Sequence, residues 1–148
     1  MNTLPVPLGE SWRPAISMEV IACPLALDKL SAGFPSPAQD YEEKRLDIGR
    51  YLVDNPVSTF FVRVAGLSMV GAEIFPGDIL IVDRSKEALH RSIVVAFING
   101  ERTVKYLCIR DGPMRLEPAN PDYPTTVITD AMDCVIWGVV TGKAKRFT

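Results

Sequence analysis

Ile93-Val94-Val95-Ala96-Phe97-Ile98-Asn99-Gly100-Glu101-Arg102-Thr103-Val104-Lys105-Tyr106-Leu107-Cys108-Ile109 is the stretch that decides the fold class of this 148-residue chain. Two β-branched and aromatic runs flank Asn99-Gly100, a dipeptide that tolerates the positive φ angles of a type I′ turn. Ile93–Ile98 and Glu101–Ile109 are therefore expected to pair as a β-hairpin. The same texture continues outward in Thr59–Ala65, Ile79–Asp83, Arg115–Glu117, Thr125–Thr129 and Cys134–Thr141. Turn signals separate these runs: Pro76-Gly77-Asp78, Asp111-Gly112-Pro113 and Asn120-Pro121-Asp122. One short helix is expected over Asp47–Asp54, with Asp47 as N-cap, Ile48, Tyr51 and Leu52 on one face, and Asn55-Pro56 as the stop.

Upstream the pattern changes. Residues 1–40 hold Pro5, Pro7, Pro14, Pro24, Pro35 and Pro37, half of the 12 prolines. Each removes an amide donor and restricts the residue before it, so no long helix fits. Ser17–Ala22 could form a short strand, and Ser31-Ala32-Gly33-Phe34-Pro35-Ser36-Pro37 reads as extended and accessible. The expected architecture is a mostly-β domain of strongly bent antiparallel sheets with a short helix, residues 41–148. An extended proline-rich arm, residues 1–40, precedes it.

Composition narrows the function classes. Hydrophobic residues at 47% and charged residues at 23% describe an ordinary globular chain with room for a core. A net charge of −2 without a basic stripe argues against a surface built to grip phosphate backbone. The basic group Lys143, Lys145 and Arg146 reads as a solvated tail. Three cysteines (Cys23, Cys108, Cys134) without C-x-x-C spacing, and a single histidine, leave no usual zinc site. No metal or cofactor is expected. No run reaches the ~18–20 apolar residues of a membrane span, and Met1–Glu10 has no positive n-region, so a cytoplasmic protein is expected.

Among candidate catalytic groups, His90 lies in a polar connector, Lys86-Glu87-Ala88-Leu89-His90-Arg91, and reads as solvated. Neither a G-x-S-x-G elbow nor a phosphate-cradling glycine loop occurs. Gly66-Leu67-Ser68-Met69 follows the strand Thr59–Ala65. A hydroxyl at a strand end beside a glycine can point outward, with backbone amides near it for an oxyanion. Gly-x-Ser also occurs in many ordinary turns. Lys105 sits mid-strand, on the face of Thr103 and Leu107 and opposite Val104 and Tyr106. A strand lysine is ordinarily an edge charge that discourages aggregation. If desolvated, its pKa falls below ~10.4 and the neutral amine can take a serine proton. The residues alone leave both readings open.

Taken in order, Gly66-Leu67-Ser68-Met69, Gly77-Asp78-Ile79-Leu80-Ile81-Val82-Asp83 and Asn99-Gly100-Glu101-x-Thr103-Val104-Lys105 resemble the catalytic domain of the LexA/UmuD self-cleaving Ser-Lys peptidases. The interval of 37 residues from Ser68 to Lys105 fits that family. Ala32-Gly33-Phe34-Pro35-Ser36-Pro37-Ala38-Gln39-Asp40-Tyr41 is similar to the cleavage region of the UmuD branch, and the resemblance runs from about Gly33 to Val140. It implies a serine endopeptidase with Ser68 as nucleophile and Lys105 as general base, cutting its own Ala32–Gly33 bond. It implies a homodimer stimulated by a RecA filament on single-stranded DNA. The shortened form would then serve a UmuC-like Y-family polymerase in translesion synthesis during the SOS response.

Three features depart from the UmuD pattern. Leu67 stands where UmuD proteins often carry Asp, although LexA relatives use an apolar residue. Ala32 stands where UmuD has Cys and LexA has Ala. The arm before the cut is several residues longer. Three other functions compete, one of them a signal-peptidase-like Ser-Lys enzyme, which would need a membrane span that no apolar run here supplies. A LexA-like repressor would need a helix-turn-helix module of roughly 60 residues before the cut, where this sequence has 32 residues interrupted by prolines. A non-catalytic binding module of the same fold would leave Ser68 and Lys105 incidental.

Overall fold

A computed structural model describes residues 11–12, 22–26, 32–33 and 42–148. The expected arm, residues 1–40, therefore lies mostly outside the described residues, as does nearly all of the strand expected over Ser17–Ala22. By its contacts the chain divides into two units. One is Ser17–Asp54; the other joins Met1–Ile16 to Asn55–Thr148.

The smaller unit is built on a pair of antiparallel strands, β2 (Ala22–Ala26) and β3 (Glu42–Asp47), with Ala22 opposite Asp47 and Leu25 opposite Lys44. Arg45 adds a side-chain bond to the Ala22 carbonyl, 2.7 Å. Helix α1 (Ile48–Leu52) follows directly. Asp47 caps it as expected, accepting from the Arg50 N–H at 3.3 Å, and the Val53 N–H closes it on the Gly49 carbonyl. The helix is shorter than expected, and Ile48 and Tyr51 stay exposed on it. Ala32 and Gly33 form an exposed bend.

The larger unit contains an eight-stranded antiparallel sheet. In chain order its strands are β1 (Ser11–Trp12), β4 (Thr59–Arg63), β5 (Ile79–Asp83), β6 (Ile93–Ile98), β7 (Glu101–Cys108), β8 (Arg115–Glu117), β9 (Thr126–Val127) and β10 (Cys134–Ala144). Across the sheet the order is β1-β4-β5-β10-β6-β7-β8-β9. The hairpin is as expected: Ile98 faces Glu101 and Ile93 faces Tyr106, with Asn99 at φ 49° and Gly100 at φ 82°. Strand β10 lies between β5 and β6 and slips register at Ile136/Gly138 and again at Val140/Gly142. Such bulges bend a strand and increase its twist. Gly138 is required at the first: a Cβ there would meet Val82 Cγ1 at 2.7 Å.

Strand alternation sorts the core onto the two faces of the sheet. Val62, Met69, Ile74, Leu80, Val82, Val95 and Trp137 form one buried cluster, and Val94, Ala96, Leu107 and Leu116 form the other. Neighbours in sequence such as Val94 and Val95 go to opposite clusters, which is why β6 reads as a continuous apolar run. Beneath β5, the Asp83 carboxylate is buried at 2% exposure. It accepts from Asn55 Nδ2, Ser58 Oγ, Ser85 N and Ser85 Oγ, all near 2.8 Å. Burial would raise its pKa, but these donors outweigh burial and hold it at about 2.

Candidate active site

Strand β4 delivers the chain to Ser68 through a turn pinned at both ends. The Val64 N–H bonds the Asp78 carbonyl and the Gly77 N–H returns to the Val64 carbonyl, each at 2.9 Å. Gly66, at φ 84°, turns the chain where a side chain would be strained. Met69 then plugs into the first core cluster at 3% exposure, so Ser68 is flanked by exposed Leu67 and buried Met69. A 3-10 turn, Val70–Ala72, continues the loop, with the Ala72 and Ile74 amides both on the Met69 carbonyl.

The turn's far end is locked by charge. Asp78, 1% exposed, accepts from the Phe75 N–H at 2.9 Å and from Lys143 Nζ at 3.0 Å, with Lys145 Nζ at 3.6 Å. Burial opposes ionisation of this carboxyl, but the amide and the two lysines prevail and lower its pKa. Lys143 also donates to the Glu73 carbonyl. The expectation of a solvated basic tail is thus corrected for Lys143 and Lys145, while Arg146 is exposed as expected. Strand β10 runs on to Ala144, and Lys143 and Lys145 reach back to the buried carboxylate and add to what the Phe75 amide supplies.

Lys105 comes from the second strand of the hairpin, at the position opposite Val94. Its Nζ lies 2.9 Å from Ser68 Oγ, 2.6 Å from Thr103 Oγ1 and 3.1 Å from the Val104 carbonyl. Among the described residues no carboxylate pairs with it, and burial lowers its pKa. A neutral amine has two N–H bonds and one lone pair. With Thr103 Oγ1 and the Val104 carbonyl taking the two protons, the lone pair is left for the Ser68 hydroxyl. The arrangement can move a proton from serine to lysine. Beside it lies a cavity of about 200 Å³, walled by Val62, Val64, Met69, Ile74, Val95 and Thr103.

The sequence reading singled out Ser68 and Lys105, and the structure brings them together. Ala32 and Gly33 are described only within the other unit. Thr103 was missed as a contributor, although its place two residues before Lys105 on one strand face was the available signal. Asn120, read only as turn punctuation, donates its side-chain amide to the Leu67 carbonyl at 2.9 Å. His90 is not merely solvated: its Nδ1 accepts from the Ile109 N–H at 3.1 Å. Among the described residues no group of three His, Cys, Asp or Glu could hold a metal ion. Nor is any helix there long and apolar enough to cross a membrane.

Comparison with known proteins gives a consistent picture. A family model described as Peptidase S24-like matches residues 24–141. Protein MucA of Salmonella typhimurium is 50% identical over 123 residues, covering 82% of this chain and 84% of that protein. Protein ImpA of Shigella flexneri is 46% identical over 123 residues, 83% of each chain. The LexA repressor of Halorhodospira halophila is 38% identical over 118 residues, 79% of this chain and 52% of the repressor.

Proposed function

The chain belongs to the Peptidase S24-like family, serine peptidases by class, and from that premise we propose that it is a self-cleaving Ser-Lys peptidase acting on its own Ala32–Gly33 bond. The observation that carries the reading is the 2.9 Å approach of Lys105 Nζ to Ser68 Oγ, with burial disfavouring the ammonium. Ser68 Oγ attacks the Ala32 carbonyl carbon while its proton passes to Lys105. In this reading the amides of Ser68 and Met69 hold the developing oxyanion. The Ala32–Gly33 C–N bond then breaks, Lys105 returns the proton to the Gly33 amine, and water hydrolyses the acyl ester. Small residues on both sides of the bond suit entry into a narrow cleft.

By the resemblance to the UmuD branch, the product beginning at Gly33 is the working form. It acts as a homodimeric accessory of a UmuC-like translesion polymerase in the SOS response, and a RecA filament on single-stranded DNA is the stimulus. The S24-like match over residues 24–141 supports the cleavage reading, because it spans the proposed bond and both proposed catalytic residues. The cheapest test is incubation of the purified chain at alkaline pH followed by mass spectrometry. A fragment beginning at Gly33 is expected, its rate rising with pH as Lys105 loses its proton. Ser68→Ala should lower the rate by at least about 10³-fold. Cleavage that persists in Ser68→Ala, with contaminating protease excluded, sinks the assignment.

A further inference from the structure

Ala119 and Asn120, which lie just beyond β8, brace the Ser68 turn and take no part in the mechanism above. The Asn120 amide donates to the Leu67 carbonyl at 2.9 Å. The Ala119 N–H donates to the Ser68 carbonyl at 2.8 Å, and the Ala119 carbonyl accepts from the Gly71 N–H at 2.7 Å. The approach is close enough that a Cβ on Gly71 would stand 2.5 Å from the Ala119 oxygen. The Asn120 side chain is itself oriented. Its Oδ1 accepts from the Asp122 N–H at 2.9 Å, an Asx turn that leaves Nδ2 facing Leu67.

We propose that Asn120 is a positioning residue for Ser68, acting through the Leu67–Ser68 peptide plane; this rests on Ser68 being the nucleophile. A trans peptide is planar, so a carbonyl and the next residue's N–H point in opposite directions. Holding the Leu67 carbonyl on Asn120 therefore turns the Ser68 N–H to the opposite side. The Ala119 bond to the Ser68 carbonyl does the same for the Met69 N–H. These two amides flank the hydroxyl, and neither bonds a backbone carbonyl among the described residues.

Other anchors on this peptide are weak. Gly66 has no side chain, and Leu67 is 50% exposed. Among the described residues, the Leu67 carbonyl has besides Asn120 only the Val70 N–H at 3.4 Å, a long bond that sets direction poorly. Between β4 and buried Met69, the Leu67–Ser68 plane is thus the link whose orientation depends most on a distant side chain.

The test uses the full chain. Self-cleavage rate is followed against pH, alongside labelling of Ser68 by a fluorophosphonate, which needs no arm in the cleft. Asn120→Ala removes both the brace and the Asx turn; Asn120→Asp keeps the Oδ1 acceptor for Asp122 but loses the donor to Leu67. Both variants are expected to lose about 10- to 100-fold in the alkaline plateau of each reaction, a part of what a lost oxyanion donor costs. Asn120→Ala should leave the pH midpoint in place, because that midpoint belongs to Lys105. A wild-type rate in Asn120→Asp would reduce Asn120 to a turn residue and overturn the proposal, as would an Asn120→Ala defect appearing as a displaced midpoint with an intact plateau. In the unmodified chain, the Asn120 side-chain amide protons should exchange slowly with solvent; free exchange also overturns it. A wild-type chain that neither cleaves nor labels would instead refute Ser68 as nucleophile.

Discussion

Thr103→Val removes one hydroxyl from beside Lys105 and keeps the side-chain shape. In the structure Thr103 Oγ1 takes one Nζ proton at 2.6 Å, the shortest of the three contacts around the amine. Two opposing effects follow. Without that acceptor the amine can rotate about Cε–Nζ, and one of three staggered positions aims the lone pair at Ser68, a loss of about threefold. Loosened geometry brings the expected plateau loss to about tenfold. Against this, the ammonium form gives up a charge-assisted bond of about 2 kcal/mol, and the neutral amine one of about 1 kcal/mol. The difference of about 1 kcal/mol favours the neutral, reactive form about fivefold wherever the ammonium predominates. Thr103→Val should therefore cleave within about twofold of wild type near neutral pH and about tenfold slower on the alkaline plateau, its profile displaced to lower pH. Thr103→Ser should stay close to wild type throughout. The assay is the rate of appearance of the fragment beginning at Gly33, from pH 7 to 11. A wild-type plateau in Thr103→Val, or a profile displaced to higher pH, refutes the claim that Thr103 orients the base.

Two stability predictions follow from buried charge. Asp83 has its folded pKa depressed to about 2 from 3.8, so its contribution is present above pH 3.8 and disappears as pH falls through about 2. The shift is worth roughly 2 kcal/mol, and Asp83→Asn should lose a comparable amount at pH 7 by urea denaturation, with the gap to wild type closing in acid. Lys105 has the opposite linkage. Its folded pKa is lowered, so in the window between that value and 10.5 the unfolded chain binds the extra proton and stability rises with pH. Lys105→Met should accordingly be more stable than wild type at pH 6, with its advantage shrinking toward pH 10; an advantage independent of pH would contradict a desolvated amine.

Much of the fold was legible because local signals agreed with one another. Asn99-Gly100 specified the hairpin, and Ile79–Asp83, Ile93–Ile98 and Arg115–Glu117 have the bounds that their apolar runs suggested. What was not legible depends on pairings between distant residues. Gly142-Lys143-Ala144-Lys145 looks like a polar tail until Asp78, 65 residues away from Lys143, needs a counter-charge. Strand β10 continues past the Thr141 expected as its end, pairing Gly142, Lys143 and Ala144 with Ile81, Leu80 and Ile79 of β5. The site shows the same division. Ser68 and Lys105 stood out through motif order, and Thr103 could have been found from strand alternation. Asn120, 53 residues from Leu67, carries no periodic signal, and its side chain is as well explained by the turn it also makes.

The pairing of β2 with β3 has a consequence for a cut between them. Ala22–Ala26 and Glu42–Asp47 meet through a connection that contains Ala32 and Gly33. While the chain is whole, that tether supplies β2 to its partner at an effective concentration on the order of millimolar. Once the bond is broken the same contacts become bimolecular, and at micromolar protein their occupancy falls by about a thousandfold. A two-stranded pairing is marginal even when tethered. Ser11–Trp12, on the β4 edge, lies on the same side of the bond and loses its tether too. Hydrolysis of one peptide would thus act by dilution: no contact is altered, yet the released strands do not return.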